Sequence, residues 1–334
     1  MASQAAPLQR FKAAMGRVYG SFESFANWRV PPLPGNAGHR GRYLWADAFG
    51  VVNFVTLRYA TGEERYLDAA KRLAAGRVGR RTSEGGLRIG KVDEAGPDGD
   101  GQYHHYLTLW IHPAGTGHTP ALHCRKKWHW GLSMVWKIST DMSRPLSRSK
   151  GHLDDVTGYV VFEHLDSVAR RFGQGDDQPL LAEKNQYWNM MTRSRPLQSS
   201  TDMLDLGMSL WVAQFRSRRG DEPLRELGTH GINTAREILV ERKGPYSILT
   251  KSAGRRLAFR ELGACLGIKC YSNDADLVNS ADLLVEFWGS HTEESTPDDL
   301  MAITQVMLAA ALIPGAFDPS YPAGRRLEDL EDIP

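Results

Sequence analysis

RYLWADAFGVVNFVTLRYATGEERYLDAAKRLAA, residues 42–75, holds two helical patterns back to back. The first, Arg42 to Arg58, carries Leu44, Trp45, Phe49, Val51, Val52, Phe54, Val55 and Leu57 and leaves no polar face. A helix that is apolar all round has to be buried all round. The second pattern follows the short turn Ala60-Thr61-Gly62-Glu63. From Glu64 to Ala75 it sets Tyr66, Leu67, Ala70, Leu73 and Ala74 on one side, with Asp68, Lys71 and Arg72 facing away. Spacings of three and four residues put these groups on common faces. The stretch therefore reads as a hairpin of one inner and one outer helix.

Outward from this hairpin the same pair returns. Thr201 to Arg216 is apolar all round through Met203, Leu204, Leu206, Met208, Leu210, Trp211, Val212 and Phe215. After the turn Arg219-Gly220-Asp221, Leu224, Leu227, Ile232, Ala235, Ile238 and Leu239 form a stripe. Arg255 to Gly267 with Asp274 to Gly289, and Val156 to Phe172 with Pro179 to Thr192, make two further pairs. Asp298 to Ile313 is a last inner helix, stopped by Pro314 and Gly315. No striped helix follows it. The N-terminus supplies one, with Leu8, Phe11, Met15, Val18 and Phe22 at helical spacing.

Inner helices start near residues 42, 102, 156, 201, 255 and 298. Hairpins of this period cannot bury their faces alone and must stack. The expected fold is all-α: an (α/α)6 toroid of six helical hairpins, with the N-terminal helix closing the ring. One domain over residues 1–334 accommodates it. Two stretches stand outside the pattern: an irregular segment, 111–130, rich in His, Gly and Pro, and a C-terminal tail, 315–334.

With 41% hydrophobic and 24% charged residues over 334 positions, the composition suits a large core. Net charge is +2, from 41 basic and 39 acidic residues, which gives no electrostatic case for nucleic acid or an anionic membrane surface. Cys124, Cys265 and Cys270 fit neither a disulfide framework nor a zinc pattern. His112, His118, His123 and His129 match no ligand set. No metal and no cofactor is expected. Met1 to Gln9 lack a basic start followed by an apolar core, and no apolar run reaches the roughly 18 residues a spanning helix needs. A cytoplasmic setting is the expectation.

Connections within hairpins are short, as in Gly173 to Gln178. Those leading into inner helices are long: Gly76 to Asp100, Met134 to Asp155, Glu241 to Gly254. Long loops carry function more often than short ones. The inner helices should therefore start at one mouth, where free N–H groups and partial positive charge suit a ligand rich in hydroxyl or carboxylate oxygens. The residues at those starts are polar and aromatic. They include Arg42, Trp45 and Asp47; Asp100, Gln102, His104 and His105; His152, Asp154, Asp155 and Tyr159; Asp202 and Asp205; Arg260 and Glu261. The loop 136–145 adds Trp136, Lys137, Asp141 and Arg144 without helical periodicity.

Residues 42–50, 61–67 and 98–107 (RYLWADAFG, TGEERYL and DGDGQYHHYL) resemble the six-hairpin glycosidase-like superfamily. Toroids of that kind use paired carboxylates for hydrolysis or paired histidines for sugar epimerisation. The resemblance implies a carbohydrate-active enzyme, glycoside hydrolase-like, acting on a sugar or uronate by carboxylate acid/base chemistry. An epimerase, an isomerase, a small-metabolite cyclase and a non-catalytic binding toroid stay open beside it. The partner expected is a small molecule or oligosaccharide, and oligomeric state is left open.

Candidate catalytic groups are Asp47, Asp100, Asp205 and Glu261, assisted by His104 or His105. Candidate ligand contacts are Arg42, Trp45, Gln102, Trp136, Lys137, Asp141, Arg144, Asp202 and Arg260. Structural roles compete with these. Asp155, Asp202 and Asp298 sit where helix N-caps belong. Asp47, inside an apolar helix, needs either a partner such as Arg42 or Arg260, or a place on the cavity wall. Glu261 either lines the cavity or forms an internal salt bridge between hairpins.

Overall fold

The computed structural model describes residues 2–21, 28, 42–78, 101–106, 108, 129–130, 133–139, 143–171, 180–194, 197–215 and 222–321. Its helices are α1 (Ala2–Tyr19), α2 (Leu44–Thr61), α3 (Glu64–Val78), α4 (Asp154–Arg171), α5 (Leu181–Arg193), α6 (Met203–Ala213) and α7 (Glu222–Arg236), which runs on as a wide turn, Glu237–Glu241. They continue with α8 (Ala258–Tyr271), α9 (Ala275–Ser295) and α10 (Asp298–Leu312). The strands β1 (Gln102–Tyr103), β2 (His129–Trp130), β3 (Ser133–Met134) and β4 (Lys137–Ile138) are two residues each. Antiparallel pairing sets Gln102 against Ile138 and His129 against Met134.

The apolar helices form the inner layer. Every residue of α10 from Ala302 to Ala311 is buried, and α2 buries Leu44 through Phe54 without a break. α4 packs on α6, α6 on α8, α8 on α10 and α10 on α2. Each has a striped outer partner: α3 on α2, α5 on α4, α7 on α6, α9 on α8. α1 packs on α10, so the first helix of the chain completes the last hairpin. The second inner helix is described only at its start, residues 104–106 and 108. Most of the segment 111–130 lies outside the described residues. Among those described, no helix is long and apolar enough to cross a membrane.

The hairpin turn at 60–63 works as its glycine predicts. Gly62 caps α2 in the left-handed conformation, φ +73°, and its N–H bonds Arg58 O at 3.0 Å. A different glycine contact sets how closely two inner helices approach. A Cβ on Gly207 of α6 would lie 2.0 Å from Gly263 O of α8, and a Cβ on Gly267 would lie 2.1 Å from Gly207 O. Backbone presses on backbone there, and no rotamer change can make room. Gly207→Val is expected to push α6 off α8, costing at least about 3 kcal/mol. Thermal unfolding by circular dichroism would reveal it as a large fall in midpoint or as loss of the folded state.

Residues 315–317, grouped with the tail on sequence, pack into the ring. Gly315 turns the chain at φ +52°. The N–H of Ala316 donates to Thr56 Oγ1 at 2.9 Å, and the buried Phe317 ring packs on Phe49 at 4.9 Å. Phe317 O accepts from Trp211 Nε1 at 3.0 Å and from Gln214 Nε2 at 2.9 Å. This turn crosses from α2 to α6 and fixes the indole of Trp211.

Candidate active site

Trp211 is also one wall of a cavity of about 170 Å³. An apolar cavity of about 150 Å³ already accepts benzene, so the space suits one small ring. The other walls are Trp45 at the start of α2, His105 and Thr108 from the second inner helix, residues 151–154 and Thr157 at the start of α4, and Leu204, Asp205 and Met208 of α6. The beginnings of four consecutive inner helices therefore meet around one hollow.

Trp45 is held edge-on to His105 (5.2 Å) and Tyr106 (5.1 Å). Tyr103 continues the aromatic cluster and packs against Trp136 at 5.0 Å, with the Lys137 ammonium 5.2 Å from its ring centre. Gln102 is fully buried in β1. Burial pushes the His105 imidazole down to about 4, against the pull of nearby Asp154, so the ring facing the cavity is neutral at pH 7.

Two carboxylates share the cavity with opposite tendencies. Burial alone would raise Asp154. His104, His105 and the Gly151 N–H outweigh it and hold the group below the usual carboxylate range. The Gly151 N–H donates to Asp154 Oδ2 at 2.6 Å, and His104 Nδ1 lies 3.3 Å from Oδ1. Asp205 is pushed up, first by burial, then by the negative charges of Asp202 and Asp154; His152 and Arg260 oppose the shift without cancelling it. The His152 ring approaches Asp205 at 3.9 Å. One acid thus favours its anion while its neighbour favours its proton, the pattern that separates base from acid in a shared site.

The structure brings together only part of the candidate set. Trp45, His105 and Asp205 line the cavity. His104 lies behind it, with Nε2 2.8 Å from Tyr187 Oη. Asp202 caps α6, accepting from the Leu204 and Asp205 N–H groups at 3.0 and 3.2 Å, and pairs with Arg260. Asp47 is fully buried away from the cavity, bound by Arg42 Nε at 2.9 Å and Tyr19 Oη at 2.9 Å. Glu261 is buried too. It accepts from Arg256 Nε at 2.8 Å in an ion pair at the start of α8, and from Trp288 Nε1 at 2.8 Å in a bond that ties α8 to α9. Neither carboxylate lines the cavity, because a buried anion with a matched cation is satisfied where it stands. Arg144 is exposed on its turn. Asp100 and Asp141 lie outside the described residues.

Asp154 and His152 were placed at the mouth by sequence but not among the catalytic candidates; the cavity makes them part of the site. Their signal was two adjacent acids opening an inner helix just after a glycine. Among the described residues no cluster of His, Cys, Asp or Glu forms a metal site.

No protein-family model matches this sequence, and no curated protein matches it either. Solved structures do match. A glycoside hydrolase family 76 mannosidase from Bacteroides thetaiotaomicron superposes with TM-score 0.57 at 14% identity, covering 94% of this chain and 98% of that one. A D-mannose isomerase superposes with TM-score 0.56 at 12% identity, covering 93% and 97%. The chain is a six-hairpin (α/α)6 toroid. At these identities the likeness carries the fold and no residue roles.

Proposed function

We propose that this toroid is a sugar-converting enzyme that cleaves a glycosidic bond at the cavity between α4 and α6. The observation that carries the reading is the Asp154–Asp205 pair, one carboxyl biased towards its anion and the other towards its proton in the same hollow. Asp205 donates its proton to the leaving oxygen as the carbon–oxygen bond breaks. Asp154 takes the proton of the attacking water, or attacks the anomeric carbon itself, according to the spacing of the two groups on the sugar. Trp45 and Trp211 line the cavity, and indole rings are suited to stacking on a sugar ring. Both fold relatives are named for mannose chemistry, which makes mannose and mannosides the first substrates to try.

A specific observation favours a second reading. His105 and His152 line the same cavity, and two imidazoles at one sugar are the groups needed to pass a proton between its carbons. That is isomerase or epimerase chemistry. The deciding experiment offers the purified protein mannosides and free mannose and follows both by proton NMR. Release of mannose from the glycoside supports hydrolysis. Appearance of a ketose or epimer from free mannose supports the second reading. No conversion of any offered sugar counts against both.

A further inference from the structure

Asp154 reaches the cavity from a buried position, and what lies behind it is another imidazole. His104 is 1% exposed and sits between Asp154 and Tyr187. His104 Nδ1 stands 3.3 Å from Asp154 Oδ1, within ion-pair reach, and a carboxylate can only accept, so the arrangement stabilises the Asp154 anion when that nitrogen carries the proton. Nε2 then faces the Tyr187 hydroxyl at 2.8 Å. The Tyr187 ring fits because residue 158 of α4 has no side chain: a Cβ on Gly158 would lie 2.2 Å from the ring. An outer helix, α5, is in this way coupled to a cavity acid through the inner layer.

We propose that His104, braced by Tyr187, is the positioning residue that keeps Asp154 an oriented carboxylate facing the cavity. The proposal deepens the reading of Asp154 as the base and rests on that reading for its effect on turnover. His104 itself does not line the cavity, so its part is played through Asp154. The other groups facing Asp154 are His105 from the same helix start, the Gly151 N–H, and Asp205 across the cavity from α6. Lys150, close in sequence, is engaged elsewhere, with Asp155 and Ser194. Without the His104 ring, Asp154 keeps its burial and its carboxylate neighbour, and both favour the protonated acid.

The test reads Asp154 directly, with or without a known substrate. Carboxyl-labelled aspartate is incorporated into the full chain, the Asp154 resonance is assigned with Asp154→Asn, and its titration is followed by carbon-13 NMR. His104→Leu is expected to raise the midpoint by about one pH unit or more. His104→Asn, whose side-chain amide can stand where Nδ1 stands, recovers part of the difference. Tyr187→Phe removes one oxygen and raises the midpoint in the same direction by less, and it decides the question if His104→Leu does not fold. Midpoints equal to wild type in the folded variants would overturn the proposal. A sugar assay that fails while the midpoints move would count against the proposed function and leave the role of His104 standing.

Discussion

Asp205→Asn is expected to lower turnover by about 10²–10⁴-fold, the usual worth of a positioned general acid. The same variant should fold at least as well as the parent. The wild-type carboxyl bears the cost of partial burial and of repulsion from Asp202 and Asp154, and an amide is relieved of both. The sign of the pH dependence follows from the two shifts. Activity rises as Asp154 loses its proton, below the ordinary carboxylate range, and falls again as Asp205 loses its own, above that range. The optimum therefore lies between the two titrations, with apparent values that belong to the pair. Asp205→Asn removes the alkaline limb. A variant with wild-type turnover and an unchanged pH profile would take Asp205 out of the reaction.

Glu261→Gln should do the opposite: cost stability through the core while leaving the cavity groups in place. The Arg256 guanidinium is held by Glu261 and also packs on Phe287 and Trp288, with centroid distances of 4.4 and 5.1 Å. Neutralising Glu261 leaves a buried cation without its counter-charge, which costs about 3–5 kcal/mol. For a chain of this size the thermal midpoint falls by on the order of 10 °C. Turnover of the folded fraction should stay near wild type. A calorimetric scan that shows no destabilisation would mean that the pair contributes far less than its burial implies.

These two residues also mark where the sequence was informative. Asp205 was legible because it opens a helix with no other polar face, so a carboxylate there stands at the mouth. Glu261 and Asp47 had the same appearance. Their partners come from places that periodicity does not reach. Arg256 precedes α8, Trp288 lies on α9, and Tyr19 ends α1. A buried acid looks alike in sequence whether it meets a cavity or a guanidinium, and only the packing separates the cases. Asp154 shows the converse. Its neighbour Asp155 read as a cap and Asp154 only as one polar group of the mouth, and a capping carboxylate has the same residue type and position as a catalytic one.

The ring was easier to read than the site. Burial on all sides of α2 and α10 is a property of many residues at once, and no single substitution disguises it. The closing of the ring by α1 followed from counting faces: an inner helix without a partner and an outer stripe without one had to meet. The inward turn at 315–317 was not legible. It depends on Gly315, Thr56 and Trp211, which are far apart in sequence and unremarkable singly.

The most direct measurement is a crystal structure of the protein soaked with mannose. One sugar ring is expected between Trp45 and Trp211, with oxygens within hydrogen-bond distance of Asp154 and Asp205. A sugar bound on an outer helix, or an empty cavity at saturating mannose with both carboxyls turned away from it, would mean that this hollow is not where sugar binds.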